Sequence, residues 1–303
     1  MAPTPIIKWV GGKSQIIDKV MENFPTSIRN YHEICVGGGS VLIALLTHIK
    51  NKRFMLSGHI YAFDLNESLI SLYKNVQSNH EELFRQIQIL SQEFQNCGTR
   101  ETINRKPANI LEAKECKENY YYWTRSRYNA LVQSDKNSVL GSALFVFLNK
   151  TCFRGLFREG PNGFNVPYGN YKNPQIINKE NLDEVHELIQ GVVFGCCDFT
   201  ESLGKIGVDD FVYIDPPYVP ETQTSFVSYT KDGFGKEKHV ALFKLCNQLS
   251  LEKKKVLISN SDVPFVRESF PIETYKTESI MCKRSINSKK PGSKIAEVLI
   301  RNF

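Results

Sequence analysis

No run of about 18 consecutive apolar residues, the length a membrane-spanning helix needs, occurs anywhere in the 303-residue chain. The N-terminus also lacks the charged, apolar and small-residue layout of a secretory signal. A soluble, intracellular protein without a membrane partner is therefore expected. Cysteine pairs at metal-binding spacing are missing too. The eight cysteines are scattered, Cys196 and Cys197 adjoin, and no Cys-x-x-Cys is present. That composition argues against a zinc site or a disulfide framework, so free thiols and no metal are expected. The six histidines form no local pattern. Neither an internal repeat nor a long low-complexity segment is found.

What remains is ordinary globular composition, 41% hydrophobic and 23% charged, in a chain long enough for one α/β core with a smaller insertion. The net charge of +6 permits a polyanionic partner without requiring one. Between Met281 and Lys294 the chain carries Lys283, Arg284, Lys289, Lys290 and Lys294 and no acid. This stretch reads either as a solvated loop or as a phosphate-facing one.

Tyr31 to Val36 reads as a strand ending in Gly37-Gly38-Gly39-Ser40, with a helix from Val41 to Ile49. A second strand, Ile60 to Phe63, ends at Asp64, and a helix follows from Leu65 to Val76. Two β-α units in succession predict a parallel, doubly wound sheet. From about Glu82 to Lys150 the pattern is helical, and the aromatics Tyr120 to Trp123 read as helix core. Strands resume at Val192–Phe194, Phe211–Ile214, Val256–Ser259, Glu273–Ser279 and Glu297–Asn302, the last two as an antiparallel hairpin at the sheet edge.

The sharpest feature is Asp215-Pro216-Pro217-Tyr218, directly after the apolar strand Phe211–Ile214. Open α/β sheets bind ligands at that edge. An exocyclic amine is a poor nucleophile because its lone pair is delocalised into the ring. A carboxylate accepting one N–H and a backbone carbonyl accepting the other would favour a pyramidal, reactive nitrogen. Prolines lack N–H groups and keep their carbonyls, so the turn offers acceptors in a fixed geometry. Tyr218 offers a face on which a base can stack. Two other readings of the glycines fail. Gly12-Lys13-Ser14 resembles the end of a phosphate-binding loop, but Ile7 stands where that motif needs glycine. Gly37 to Ser40 is not the G-x-G-x-x-G of a nicotinamide enzyme.

The chain resembles the Dam-type, GATC-methylating group of DNA adenine-N6 methyltransferases over nearly its whole length. The resemblance rests on an ordered set: Lys8-Trp9-Val10-Gly11-Gly12-Lys13, Cys35 to Ser40, Asp64 within Ala62 to Asn66, Leu148-Asn149-Lys150, Phe164 to Gly169, and the tetrapeptide at Asp215. Cys35 stands where that group usually has a large residue such as Phe. The resemblance implies S-adenosyl-L-methionine as cofactor, held by Trp9, Lys13, Gly37, Gly39, Asp64 and Asp215. Gly37 and Gly39 would admit the backbone close to the methionine portion. Asp64 would bind the ribose hydroxyls, and Lys13 would pair with the cofactor carboxylate. Asp215, Pro216, Pro217 and Tyr218 would be catalytic.

The resemblance makes double-stranded DNA the partner. Thr151 to Arg158 mixes two aromatics with two arginines beside Gly160-Pro161-Asn162-Gly163. Such an exposed hairpin suits base edges and base wedging. By similarity Phe153 would stack on the orphaned base, Leu156 would wedge, and Arg158 would read guanine, with Arg154 and Asn162 also facing DNA. Arg154 stands where GATC-specific relatives commonly carry Asn, so GATC and CATG both stay open.

The expected architecture is a doubly wound Rossmann-like methyltransferase sheet with an inserted helical and hairpin DNA-recognition domain. Residues 1–80 and 176–303 would bind cofactor and catalyse, and 81–175 would read DNA. The expected reaction is direct in-line methyl transfer to N6 of a flipped adenine, and whether a companion restriction endonuclease acts on the same site stays open. A methyltransferase for RNA adenine or protein glutamine is less consistent with Asp at 215, since those more often carry Asn-Pro-Pro-Tyr. A catalytically dead DNA binder would not be expected to keep the whole set.

Overall fold

A computed structural model describes residues 3–220, 233–283 and 294–303. The chain divides into two compact units, one of Lys13–Leu65 with Gly191–Phe303 and the other of Met1–Gly12 with Asn66–Gln190.

The first unit is built on seven strands: β1 (Tyr31–Ile34), β2 (Ile60–Asp64), β3 (Val192–Cys196), β4 (Phe211–Ile214), β5 (Lys255–Ser261), β6 (Lys276–Lys283) and β7 (Lys294–Arg301). They lie in the order β6-β7-β5-β4-β1-β2-β3. From β5 to β3 every neighbouring pair is parallel. β7 runs antiparallel to β5, and β6 closes an antiparallel hairpin at the edge. All four residues of β1 and of β4 are buried, as strands covered on both faces require. The core gathers Ile34, Val212, Ile214, Val256, Ile258 and Ile300 with Leu242 and Phe243 of the helix between β4 and β5.

The longer helices are α1 (Ser40–Lys50), α2 (Glu67–Gln95), α3 (Lys117–Ala130), α4 (Val139–Thr151), α5 (Lys179–Leu188) and α6 (Lys236–Leu251). α1 and α6 belong to the sheet unit, and the other four belong to the helical one. α2 is much longer than the Leu65–Val76 segment read from sequence. Its hydrophobic positions continue through Leu83, Ile87, Leu90 and Phe94, all buried, while most of the intervening residues are polar. Its backbone leaves helical values at Asn79, and its start is capped by Asn66 accepting the Leu69 N–H.

The helical unit packs α2 against α4, which is buried from Gly141 to Asn149. Tyr120, Tyr121 and Tyr128 of α3 are fully buried, and the Tyr121 hydroxyl donates to the Val166 carbonyl at 2.7 Å. Residues 3–12 join this unit through Asn149. Its amide accepts from the Lys8 N–H and donates to the Lys8 carbonyl, both at 2.8 Å. Of the basic loop, Arg284, Lys289 and Lys290 lie outside the described residues, and Lys283 and Lys294 are described as strand backbone alone.

Candidate active site

At the carboxyl end of β4 the ladder continues one step, with the Asp215 N–H donating to the Ile34 carbonyl. The chain then turns through Pro216 and Pro217 and is caught again at Val219. There the N–H donates to Asn260 Oδ1 at 3.0 Å, and the carbonyl accepts from Ser261 Oγ at 2.5 Å. The Asp-Pro-Pro-Tyr segment is thus tied to its neighbours at both ends.

The Asp215 carboxylate meets two donors on one oxygen. Lys13 Nζ lies 2.8 Å from Oδ1, and Ser259 Oγ donates to the same oxygen at 2.7 Å. Lys13 is nearly fully buried, which an ammonium tolerates only with partners. Its Nζ also stands 4.8 Å over the Tyr218 ring, and its backbone N–H donates to Ser40 Oγ at 3.0 Å. The Tyr218 hydroxyl donates to Glu297 Oε2 at 2.9 Å. Desolvation first, then the Asp215 and Glu297 carboxylates, pushes the Tyr218 pKa well above its ordinary value, so the phenol keeps its proton.

Asp64 ends β2, two strands from β4 in the sheet. Its Oδ2 accepts the Gly37 N–H at 3.0 Å. The turn before α1 passes through left-handed values at Cys35 (φ 63°), Gly37 (φ 51°) and Gly39 (φ 73°). At Gly37 and Gly39 that conformation costs nothing, whereas at Cys35 it is strained. Desolvation, then the Asp64, Asp215 and Asp198 carboxylates, holds the Cys35 thiol pKa well up, so it stays a neutral thiol. Just before Cys35, on β1, Glu33 is buried against the Tyr31 hydroxyl, 2.7 Å away, and desolvation raises its pKa to about 8.

The sheet unit therefore brings Lys13 to Asp215 and Gly37 to Asp64. Trp9 belongs to the helical unit, where it stacks on Phe157 with centroids 5.8 Å apart. The candidate DNA-facing residues all lie in that helical unit. Phe153 is 44% exposed in a tight turn, with the Arg154 guanidinium 5.2 Å from its ring centroid. Arg154 has φ 57°, and its N–H donates to the Tyr171 hydroxyl at 2.9 Å. Leu156 is half-buried. A short hairpin, Glu159–Gly160 paired with Gly163–Phe164, carries Asn162 exposed at its tip. Arg158 is exposed, and its Nε donates to Asn165 Oδ1 at 2.6 Å.

Sequence reasoning missed Ser259, Asn260, Ser261 and Glu297. A signal was available, because three polar residues follow the apolar Val256-Leu257-Ile258 in a strand parallel to β4. Among the described residues, His80, Glu81 and Asp183 bring metal-ligand atoms together. Lys179 Nζ already bridges those two carboxylates at 2.8 and 2.5 Å.

A doubly wound sheet with a Gly-rich turn after β1, an acid at the tip of β2 and Asp-Pro-Pro-Tyr after β4 defines an α/β methyltransferase of the Rossmann-like class. The chain belongs to the D12 class N6 adenine-specific DNA methyltransferase family, whose model matches residues 9–285. It is similar to the Type II methyltransferase M.MjaIII of Methanocaldococcus jannaschii, with 36% identity covering 100% of both chains. It is also similar to a DNA adenine methylase of Haemophilus influenzae, 30% identical over 94% of this chain and 89% of the relative. The Type II methyltransferase M1.LlaDCHI of Lactococcus lactis is 29% identical over 99% of this chain and 95% of its own. DNA is thus the substrate, and a methyl donor is required. No helix among the described residues is long and apolar enough to cross a membrane.

Proposed function

We propose that this chain transfers a methyl group from S-adenosyl-L-methionine to N6 of adenine in a short palindromic site of duplex DNA, GATC or CATG. The observation that carries this reading is the Asp215 carboxylate. It stands at the carboxyl edge of β4 with one oxygen held by Lys13 and Ser259, at the head of a rigid proline turn.

The donor set fits the cofactor: a left-handed glycine turn beside an acid that the Gly37 amide already orients. Asp64 would accept the ribose hydroxyls, and Trp9, Lys13, Gly37 and Gly39 would complete the cofactor contacts. The bound cofactor supplies a methyl group already activated by its sulfonium. The protein's own task is to position the amine. Asp215 accepts one N–H of a flipped adenine, the Pro216 carbonyl accepts the other, and Tyr218 stacks on the ring. No proton need leave before attack, because the lone pair is freed by geometry. The methylated nitrogen would then give its extra proton to Asp215 or to water, and S-adenosyl-L-homocysteine would depart as the neutral thioether.

Sequence reading is assigned within residues 81–175. Phe153 would stack on the orphaned base, Leu156 would wedge, and Arg158 would read a guanine edge, with Arg154 and Asn162 beside them. Residues 1–80 and 176–303 would carry cofactor and catalysis. The names of the Type II relatives support a restriction–modification role inside the cell, with a companion endonuclease cutting the same site. Expression followed by genome-wide mapping of N6-methyladenine by single-molecule sequencing tests the reading. One methylated palindrome is expected, absent in Asp215→Ala. Methylation of cytosine, or an unmethylated genome with soluble protein, would overturn it.

A further inference from the structure

We infer that Ser259 is a positioning residue that decides which oxygen of Asp215 faces the substrate amine, with the Tyr213 phenol behind it. The inference rests on the catalytic reading of Asp215. The register that pairs Tyr213 with Leu257 and Ile214 with Ile258 puts Ser259 beside Asp215 on the neighbouring strand. Ser259 is 1% exposed, so no water competes for its single O–H. That O–H has a carboxylate oxygen at 2.7 Å and the Ile214 carbonyl only at 3.5 Å, so Asp215 Oδ1 is the preferred acceptor.

The Tyr213 hydroxyl lies 3.1 Å from Ser259 Oγ. Desolvation keeps that phenol protonated, and it donates to the serine as the serine donates onward. The relay therefore runs from Tyr213 to Ser259 to Asp215. Lys13 Nζ fills a second position on the same Oδ1. A carboxylate offers about four lone-pair sites, two on each oxygen. The described donors occupy Oδ1 and leave Oδ2 for the amine, and Ser259 stops the carboxylate from turning about its own axis. The following two residues, Asn260 and Ser261, grip Val219. One three-residue segment of β5 thus holds both the acid and the far end of its loop.

The test compares Ser259→Ala, Ser259→Thr, Tyr213→Phe and Asp215→Ala by single-turnover methylation. Cofactor and duplex dissociation constants and thermal midpoints are measured alongside. Losing one preorganised donor predicts a fall of about 10- to 100-fold in the methyl-transfer rate for Ser259→Ala. Both dissociation constants should be unchanged, Ser259→Thr should restore most of the rate, and Tyr213→Phe should lose only a few-fold. A normal rate in Ser259→Ala, or a loss tracked by weaker cofactor and DNA binding, would overturn the inference. Should Ser259→Ala fail to fold, Ser259→Cys, a weaker donor of similar shape, carries the same expectation. Asp215→Ala separates the two levels. If it is inactive while Ser259→Ala is normal, only this inference fails; if it is active, the catalytic reading fails first.

Discussion

The carboxyl edge of the sheet and the turn at residues 153–162 treat their candidate functional side chains in opposite ways. At the sheet edge each candidate group is held from outside its own segment. Asp215 is held by Lys13 and Ser259, Tyr218 by Glu297, and Asp64 by the Gly37 amide. In the turn proposed to read DNA, Phe153, Arg154, Arg158 and Asn162 project into solvent, and Arg158 has a side-chain tether in Asn165. Chemistry on a delocalised amine tolerates little misplacement, so its groups are preorganised at the expense of buried charge. Reading a duplex needs reach, and its groups can order on the partner they meet.

The largest expected contrast comes from Asp215→Ala. Turnover should fall by a factor on the order of 100 to 1,000 or more, while duplex affinity stays within about two-fold. Near-normal turnover at saturating cofactor would erase the contrast between the two regions. A middle-sized effect should separate Asp64 from Arg158. Asp64→Ala should weaken S-adenosyl-L-methionine by about 1–3 kcal/mol and leave DNA binding alone. Arg158→Ala should cost about 1–3 kcal/mol on the cognate duplex and less on one altered at the base it reads. Calorimetry for the first and binding to single-substituted duplexes for the second check both. If Arg158→Ala weakens every duplex alike, it is a phosphate clamp.

A separate effect concerns stability. Glu33 folds with a pKa of about 8 against an ordinary 4.5, so the folded chain keeps a proton that the unfolded chain releases. The stabilising contribution is whole below about 4.5, declines as pH rises, and is gone above about 8. The slope in that window should not exceed about 1.4 kcal/mol per pH unit. Denaturant melts across this range should show the slope in the wild type and a flatter profile in Glu33→Gln.

Much of the sheet was legible because its strands announce themselves. Phe211–Ile214 was read with the bounds it has, and the antiparallel edge hairpin was anticipated from two late strands joined by a loop. That the helix from Leu65 and the helical pattern from about Glu82 form one element, α2, was not, because its backbone leaves helical values at Asn79 and polar residues lie on either side. Motif residues stood out where a turn needs special backbone, as at Gly37, Gly39 and the two prolines. Their supports did not. Ser259 lies 44 positions from Asp215 and Glu297 lies 79 from Tyr218, and only strand register makes either pair neighbours.

The compact units change over at Gly12, at Leu65 and at Gln190, so the first twelve residues travel with the helical unit. For anyone recombining this chain with a relative, that arrangement sets the crossovers. A cassette of 66–190 alone would leave Asn149 clasping a foreign Lys8 backbone, and would bring Gly155 against a side chain it has not met: a methyl on that glycine would already lie 2.5 Å from Lys8 Cβ. The graft must therefore begin at the N-terminus, with a seam at Gly11-Gly12, and Trp9 must come from the donor while Lys13 stays with the recipient.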